Sequence, residues 1–192
     1  MEKITSIIRD SIQVKQLLLQ DTSLLERLTS AVDHTVNALH NGNRLWFCGN
    51  GGSAADAQHL AAEFSGRFYL DRRALPAEAL HCNTSYLTAV ANDYSYDDVY
   101  ARLVEGVCSP GDILFGFSTS GNSKNISKAF ASALERKIIT IGFTGESGGA
   151  LKELSTILFN VPSTTTPRIQ EAHIMLGHII CQLAEETFFH AG

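Results

Sequence analysis

Five short apolar runs, at 45–48, 77–81, 113–117, 138–143 and 156–161, are separated by stretches with helical spacing, and this alternation limits the chain to few architectures. Strands linked by helices run parallel, and a parallel sheet needs cover on both faces. The expectation is an α/β fold: a three-layer αβα sandwich around a five-stranded parallel sheet, closed by a long helix over 167–189. Residues 1–41 contain no strand. Ile8, Ile12, Leu17, Leu24, Leu28, Val32 and Val36 recur there at helical spacing, broken at Asp21-Thr22-Ser23. That break, followed by Glu26, reads as a capped restart, and Asn41-Gly42-Asn43 ends the second helix. With no strand of its own, this segment should pack elsewhere, on another copy of the chain. The predicted organisation is one domain, 1–192, with 1–41 a helical oligomerisation segment.

At 192 residues, 44% hydrophobic and 18% charged, the chain suits one well-buried domain. A net charge of −5 without a Lys/Arg cluster excludes a nucleic-acid surface. No run approaches the ~18 apolar residues of a membrane span, and the N-terminus lacks a signal pattern. Cys48, Cys82, Cys108 and Cys181 form no Cys-x-x-Cys pair, so each is expected as a buried thiol in a reducing cytoplasm.

Ser118-Thr119-Ser120-Gly121-Asn122-Ser123 follows directly on the apolar run 113–117. A buried strand delivers such a loop to the sheet's carboxyl edge, Gly121 permits a tight turn, and the next helix presents free N–H groups. A single Ser or Thr there is most often a cap. Four hydroxyls in six residues point instead to a cradle for a small phosphorylated ligand. Gly49-Asn50-Gly51-Gly52-Ser53 repeats the pattern after the first strand, with Ser53 expected as the N-cap and Asp56 at N3 of an Ala-rich helix over 54–64. Neither loop has a Gly-Lys-Ser/Thr or dinucleotide spacing, so a nucleotide is not favoured.

His59 and Glu63 lie i,i+4 on one helix face, a spacing that can present two metal ligands but that more often marks a solvated pair. Their helix starts at the glycine loop, which brings them near the ligand site. The last helix carries Gln170, Glu171, His173, His178 and Gln182 among apolar residues. His173 reads as a core histidine. His178 needs a polar partner to justify its desolvation. Gln170 and His178 are ~12 Å apart at 1.5 Å rise per residue, so they meet only through extended side chains or across subunits.

Gly49 to His59, Ala91-Asn92-Asp93, Ser118 to Ser123 and Pro167 to His173, with Gly177-His178, together resemble the phosphoheptose isomerases of the sugar-isomerase (SIS) fold, over nearly the whole chain. The resemblance implies a flavodoxin-like sheet, a homotetramer with sites at subunit interfaces, and conversion of D-sedoheptulose 7-phosphate into D-glycero-D-manno-heptose 7-phosphate for lipopolysaccharide core or related glycans. It makes His59, Glu63, Gln170 and His178 ligands of one Zn²⁺ per subunit, a donor set also open to other divalent metals. It places the phosphate on Ser118, Thr119, Ser120 and Ser123, with Asn50, Gly51, Gly52 and Ser53 facing it, and with Asn92, Asp93, Glu63 and Gln170 at the sugar. Glu63 and His178 become the catalytic acid-base pair, with Asp93 the next candidate base. Pro167 departs from relatives with Asp at that place, so no acid acts there. A non-catalytic relative associating with the replication initiator shares the fold but lacks counterparts of Glu63 and His178; a sugar-phosphate-sensing regulator would need an added DNA-binding domain.

Overall fold

The computed structural model describes residues 1–190. Two long helices, α1 (Glu2–Gln20) and α2 (Thr22–His40), open the chain. The Asp21 carboxylate between them accepts the Leu24 N–H at 3.0 Å and so satisfies a free donor of α2. After α2 the chain enters β1 (Leu45–Gly49) and alternates through α3 (Gly52–Ser65), β2 (Ala77–Ala79), α4 (Thr84–Asp93), α5 (Val99–Val107), β3 (Ile113–Phe117), α6 (Lys124–Glu135), β4 (Ile139–Thr144), α7 (Leu151–Leu154), β5 (Ile157–Asn160) and α8 (Thr166–His190). A 3-10 turn, Tyr96–Asp98, joins α4 to α5.

The strands form one parallel sheet in the order β2-β1-β3-β4-β5. Side chains alternate between its faces. Leu45, Phe47, Phe115, Phe117, Ile141 and Phe143 share a core with α2, α3 and α8, while Trp46, Cys48 and Leu114 bury against α5 and α6. The expected three layers follow. Register sets Phe47 opposite Phe115, Phe117 opposite Phe143, and Phe143 opposite Phe159. Their rings lie 4.6, 4.4 and 5.0 Å apart, an aromatic ladder that ends beneath the loops at the carboxyl edge.

The structure departs from the sequence reading at β2 and at one cysteine. β2 stops at Ala79 rather than residue 81 because the chain turns at Leu80, whose N–H still reaches the Phe47 carbonyl at 2.9 Å. Cys82 follows that turn and is exposed, unlike Cys48, Cys108 and Cys181. In the segment 1–41, Leu24, Leu28, Ala31, Val32 and Val36 of α2 are buried in the chain's own core. Only α1 remains half-covered, burying Val14 and Leu18 while Ile4, Ile7, Ile8, Ile12 and Leu19 are 46–72% exposed. Among the described residues no helix is long and apolar enough to cross a membrane.

Phe143 is fully buried in the middle of the ladder. Phe143→Ala should cost about 3–5 kcal/mol in guanidinium unfolding. A loss below about 1 kcal/mol would show that the site's floor does not depend on the ladder.

Candidate active site

From β1 the chain crosses outward to β2 and then back past β1 to β3, so the connections diverge at the carboxyl ends of β1 and β3. Open α/β sheets form a crevice at this switch point. The glycine loop leaves β1 on one side of it, and the hydroxyl loop leaves β3 on the other.

Gly121 sets the hydroxyl loop at φ 68°, and a Cβ there would lie 2.1 Å from the Gly148 carbonyl oxygen, so only glycine fits. The Ser118 and Ser123 hydroxyls are 2.9 Å apart, and Ser120 Oγ accepts the Asn122 N–H at 3.1 Å. Ser123 is the N-cap residue of α6, yet its side chain makes no capping bond. Its hydroxyl is therefore not consumed by the helix. Thr119 and Ser120 also open onto a cavity of about 310 Å³ shared with Ser147, Ser163 and Thr166.

The glycine loop is built differently from the sequence expectation. Gly51, at φ 56°, is the N-cap residue of α3, and Ser53 lies buried inside the first turn. A positive φ that glycine tolerates starts the helix earlier than a capping serine would. Asp56 then falls beyond the cap, where burial raises its pKa against the opposing pull of His59. The Tyr100 hydroxyl donates to the Gly49 carbonyl at 2.6 Å. The Asn50 and Asn125 amides exchange hydrogen bonds of 2.9 and 2.8 Å, and the Tyr96 hydroxyl donates to Asn50 Oδ1 at 3.1 Å.

Further along α3, His59 and Glu63 meet His178 of α8. The two imidazole Nε2 atoms are 3.0 Å apart, and His59 Nε2 is 3.2 Å from Glu63 Oε1. A Cβ on Gly177 would lie 2.4 Å from Leu60 Cδ1, so glycine next to His178 is what lets the helices approach. Burial lowers the His178 pKa, positive charge at His59 lowers it further, and Glu63 opposes both. One ligand atom from each of the three residues lies within 4.8 Å of the others. A tetrahedral ion with ~2 Å bonds keeps its ligand atoms roughly 3.3 Å apart. The 3.0 and 3.2 Å separations match that spacing, so the donor set fits a divalent metal.

A family model for the SIS domain matches residues 12–145. Phosphoheptose isomerase 2 of Campylobacter jejuni is 50% identical over 196 residues, covering 100% of this chain and 98% of that protein. The structure of the Neisseria gonorrhoeae phosphoheptose isomerase superposes with TM-score 0.90 at 40% identity, covering 96% of this chain and 98% of that one. The one from Francisella tularensis gives 0.92 at 34% identity, covering 96% and 97%. The chain belongs to the phosphoheptose isomerases.

Within this phosphoheptose isomerase fold, the structure brings His59, Glu63 and His178 of the expected metal-site residues together. The Gln170 amide lies against Gly52, where a Cβ would be 2.7 Å from Nε2. Asn92 and Asp93 end α4, exposed, with the Asn92 amide donating to the Asp93 carboxylate at 2.9 Å. Asn125 and Tyr96 were missed by sequence reasoning. Their only signal was a polar residue in the first turn of α6 and an aromatic just after Asn92-Asp93.

His173 is a core histidine, as its surroundings on α8 suggested. It is fully buried, its Nε2–H donates to the Thr144 carbonyl at 3.1 Å, and the rings of Phe117 and Phe143 stand edge-on to it. Burial pulls its pKa down to about 4, against the opposing effect of the Thr144 bond. The unfolded chain takes up this proton near pH 6.5, whereas the folded chain resists until about pH 4. Stability should thus be complete above pH 6.5 and fall by on the order of 3 kcal/mol on acidification toward pH 4. Guanidinium unfolding across that range should give a flatter profile for His173→Gln, which cannot titrate. An unchanged slope would assign the acid sensitivity elsewhere.

Proposed function

We propose that this isomerase interconverts D-sedoheptulose 7-phosphate and D-glycero-D-manno-heptose 7-phosphate, supplying a heptose for lipopolysaccharide core or a related glycan. The observation that supports it best is the convergence of Glu63 and His178 from α3 and α8, with α3 starting at the glycine loop of the switch point. An interaction module bound to the replication initiator has no use for such a pair. The enzyme acts in the cytoplasm.

Ser118, Thr119, Ser120 and Ser123 hold the phosphate, with the backbone of Gly51, Gly52 and Ser53 across the crevice. Asn92, Asp93 and Gln170 meet the sugar hydroxyls. Aldose-ketose isomerisation moves a proton between C1 and C2 through an enediol and a second proton between their oxygens. Glu63 takes the carbon-bound proton and returns it to the neighbouring carbon. His178 passes the hydroxyl proton. His59, Glu63 and His178, with Gln170, would hold Zn²⁺, which would polarise the carbonyl and spread enediolate charge. The exposed apolar side of α1 supports assembly into a homotetramer through that helix.

Glu63→Gln keeps volume and an oxygen while removing the basic carboxylate. Turnover of sedoheptulose 7-phosphate should drop about 10³-fold with the oligomer intact. Wild-type turnover and wild-type deuterium exchange at C1 and C2 would transfer the role of base to Asp93.

His59→Ala should lower bound zinc, measured by elemental analysis, together with activity. Full activity in a preparation free of divalent metal would reduce the cluster to a hydrogen-bonded network.

A further inference from the structure

We propose that Asn125 is a positioning residue of the phosphosugar site, and that the side chain of Asn50 serves as its latch partner rather than as a contact to the sugar; this rests on the isomerase reading of the crevice. Asn125 is 2% exposed, in the first turn of α6 immediately after the hydroxyl loop. Asn50 belongs to the glycine loop on the other side of the switch point. Each amide donates to the other's oxygen, at 2.9 and 2.8 Å, so the two loops are closed on one another by a two-bond ring. Asn125 Oδ1 also accepts the Ile126 N–H at 3.0 Å, which fixes the amide relative to α6 itself.

A third segment joins the latch. Tyr96 donates to Asn50 Oδ1 at 3.1 Å from the 3-10 turn that follows Asn92-Asp93. That turn is tied to α6 by Lys128 and Asp98 at 2.6 Å and by Lys124 and Asp97 at 3.9 Å. The amide oxygen of Asn50 thus has two donors, and its nitrogen already has an acceptor. Its side chain has little left for a sugar, so the glycine loop meets the ligand through its backbone. The gap between the loops, which must match a phosphate and the sugar attached to it, is set by the amide pair. Moving either loop misplaces donors that hold the remote phosphate in ground and transition state alike, so the loss should appear in KM rather than kcat.

The test is a double-mutant cycle on the full-length protein with Asn50→Ala, Asn125→Ala and the pair. With sedoheptulose 7-phosphate as substrate, each single variant should raise KM about tenfold and lower kcat less than about threefold, and the double variant should be no worse than either single one. The inhibition constant of inorganic phosphate should rise in parallel. Multiplicative effects in the double variant, or a collapse of kcat at constant KM, would overturn the latch and leave Asn50 as a direct ligand. Tyr96→Phe removes one surface donor without disturbing the buried amide. It should raise KM about threefold if Asn125→Ala does not fold, and an unchanged KM would then overturn the latch. If the wild-type protein fails to turn over this sugar, the substrate assignment falls, and the same cycle measured as phosphate affinity still decides whether the loops are coupled.

Discussion

The site depends on the clasp that holds α8 against α3. Glu185, 1% exposed, accepts N–H bonds from Phe68, Tyr69 and Leu70 at 3.0, 2.7 and 2.9 Å and pairs with Arg72 at 2.8 Å. Burial alone would raise its pKa, but these four donors outweigh it and hold the carboxyl below the usual range. Arg72 spends its remaining donors on the carbonyls of Glu63, Phe64 and Gly66, the end of α3 that has no helical partners. One ion pair therefore closes α3, pins the loop after it and docks that loop on α8. Phe68 in that loop packs 5.6 Å from the His178 ring. With the Gly177–Leu60 contact on the other side of His178, the distance between an acid on one helix and an imidazole on another is fixed from two directions.

The sheet supplies the second fixed reference. Phe117 carries the hydroxyl loop at its end and is clamped between the Phe143 ring and His173. Because His173 sits on the same helix as Gln170 and His178, the ladder orients α8 as well as the loop. Polar residues at the mouth are thus held by an apolar frame, and the frame tolerates one buried imidazole because its Nε2–H reaches Thr144.

The frame was legible in the sequence; the polar cross-links were not. Strands such as β1 and β3 are buried at every position, so they appear as continuous apolar runs bounded by glycine or serine loops. His59 and Glu63 were legible because a helix places i and i+4 side by side. Ser53 misled because a serine before an Ala-rich stretch resembles a cap, whereas the deciding property was the positive φ of Gly51, which composition does not encode. Arg72–Glu185 and Asn50–Asn125 join residues far apart in the chain. No local period marks them; they exist only once α3, α6 and α8 have been placed by apolar burial.

This division of labour fits the chemistry. The loops that leave β1 and β3 carry groups that hydrogen-bond to one another, Ser118 to Ser123 within one loop and Asn50 to Asn125 across the crevice, so their geometry exists before a ligand arrives. Glu63 and His178, the acid-base pair of the proposed mechanism, stand on two helices, where a shift in packing would separate them. A sugar phosphate anchored at one end places its C1 and C2 at the other only if the distance between the ends is constant. The sheet fixes that distance, since β1 and β3 are adjacent, in register over five pairs, and launch both the glycine loop into α3 and the hydroxyl loop into α6. In the proposed mechanism, binding energy gathered at the phosphate is then spent on orientation at the carbonyl.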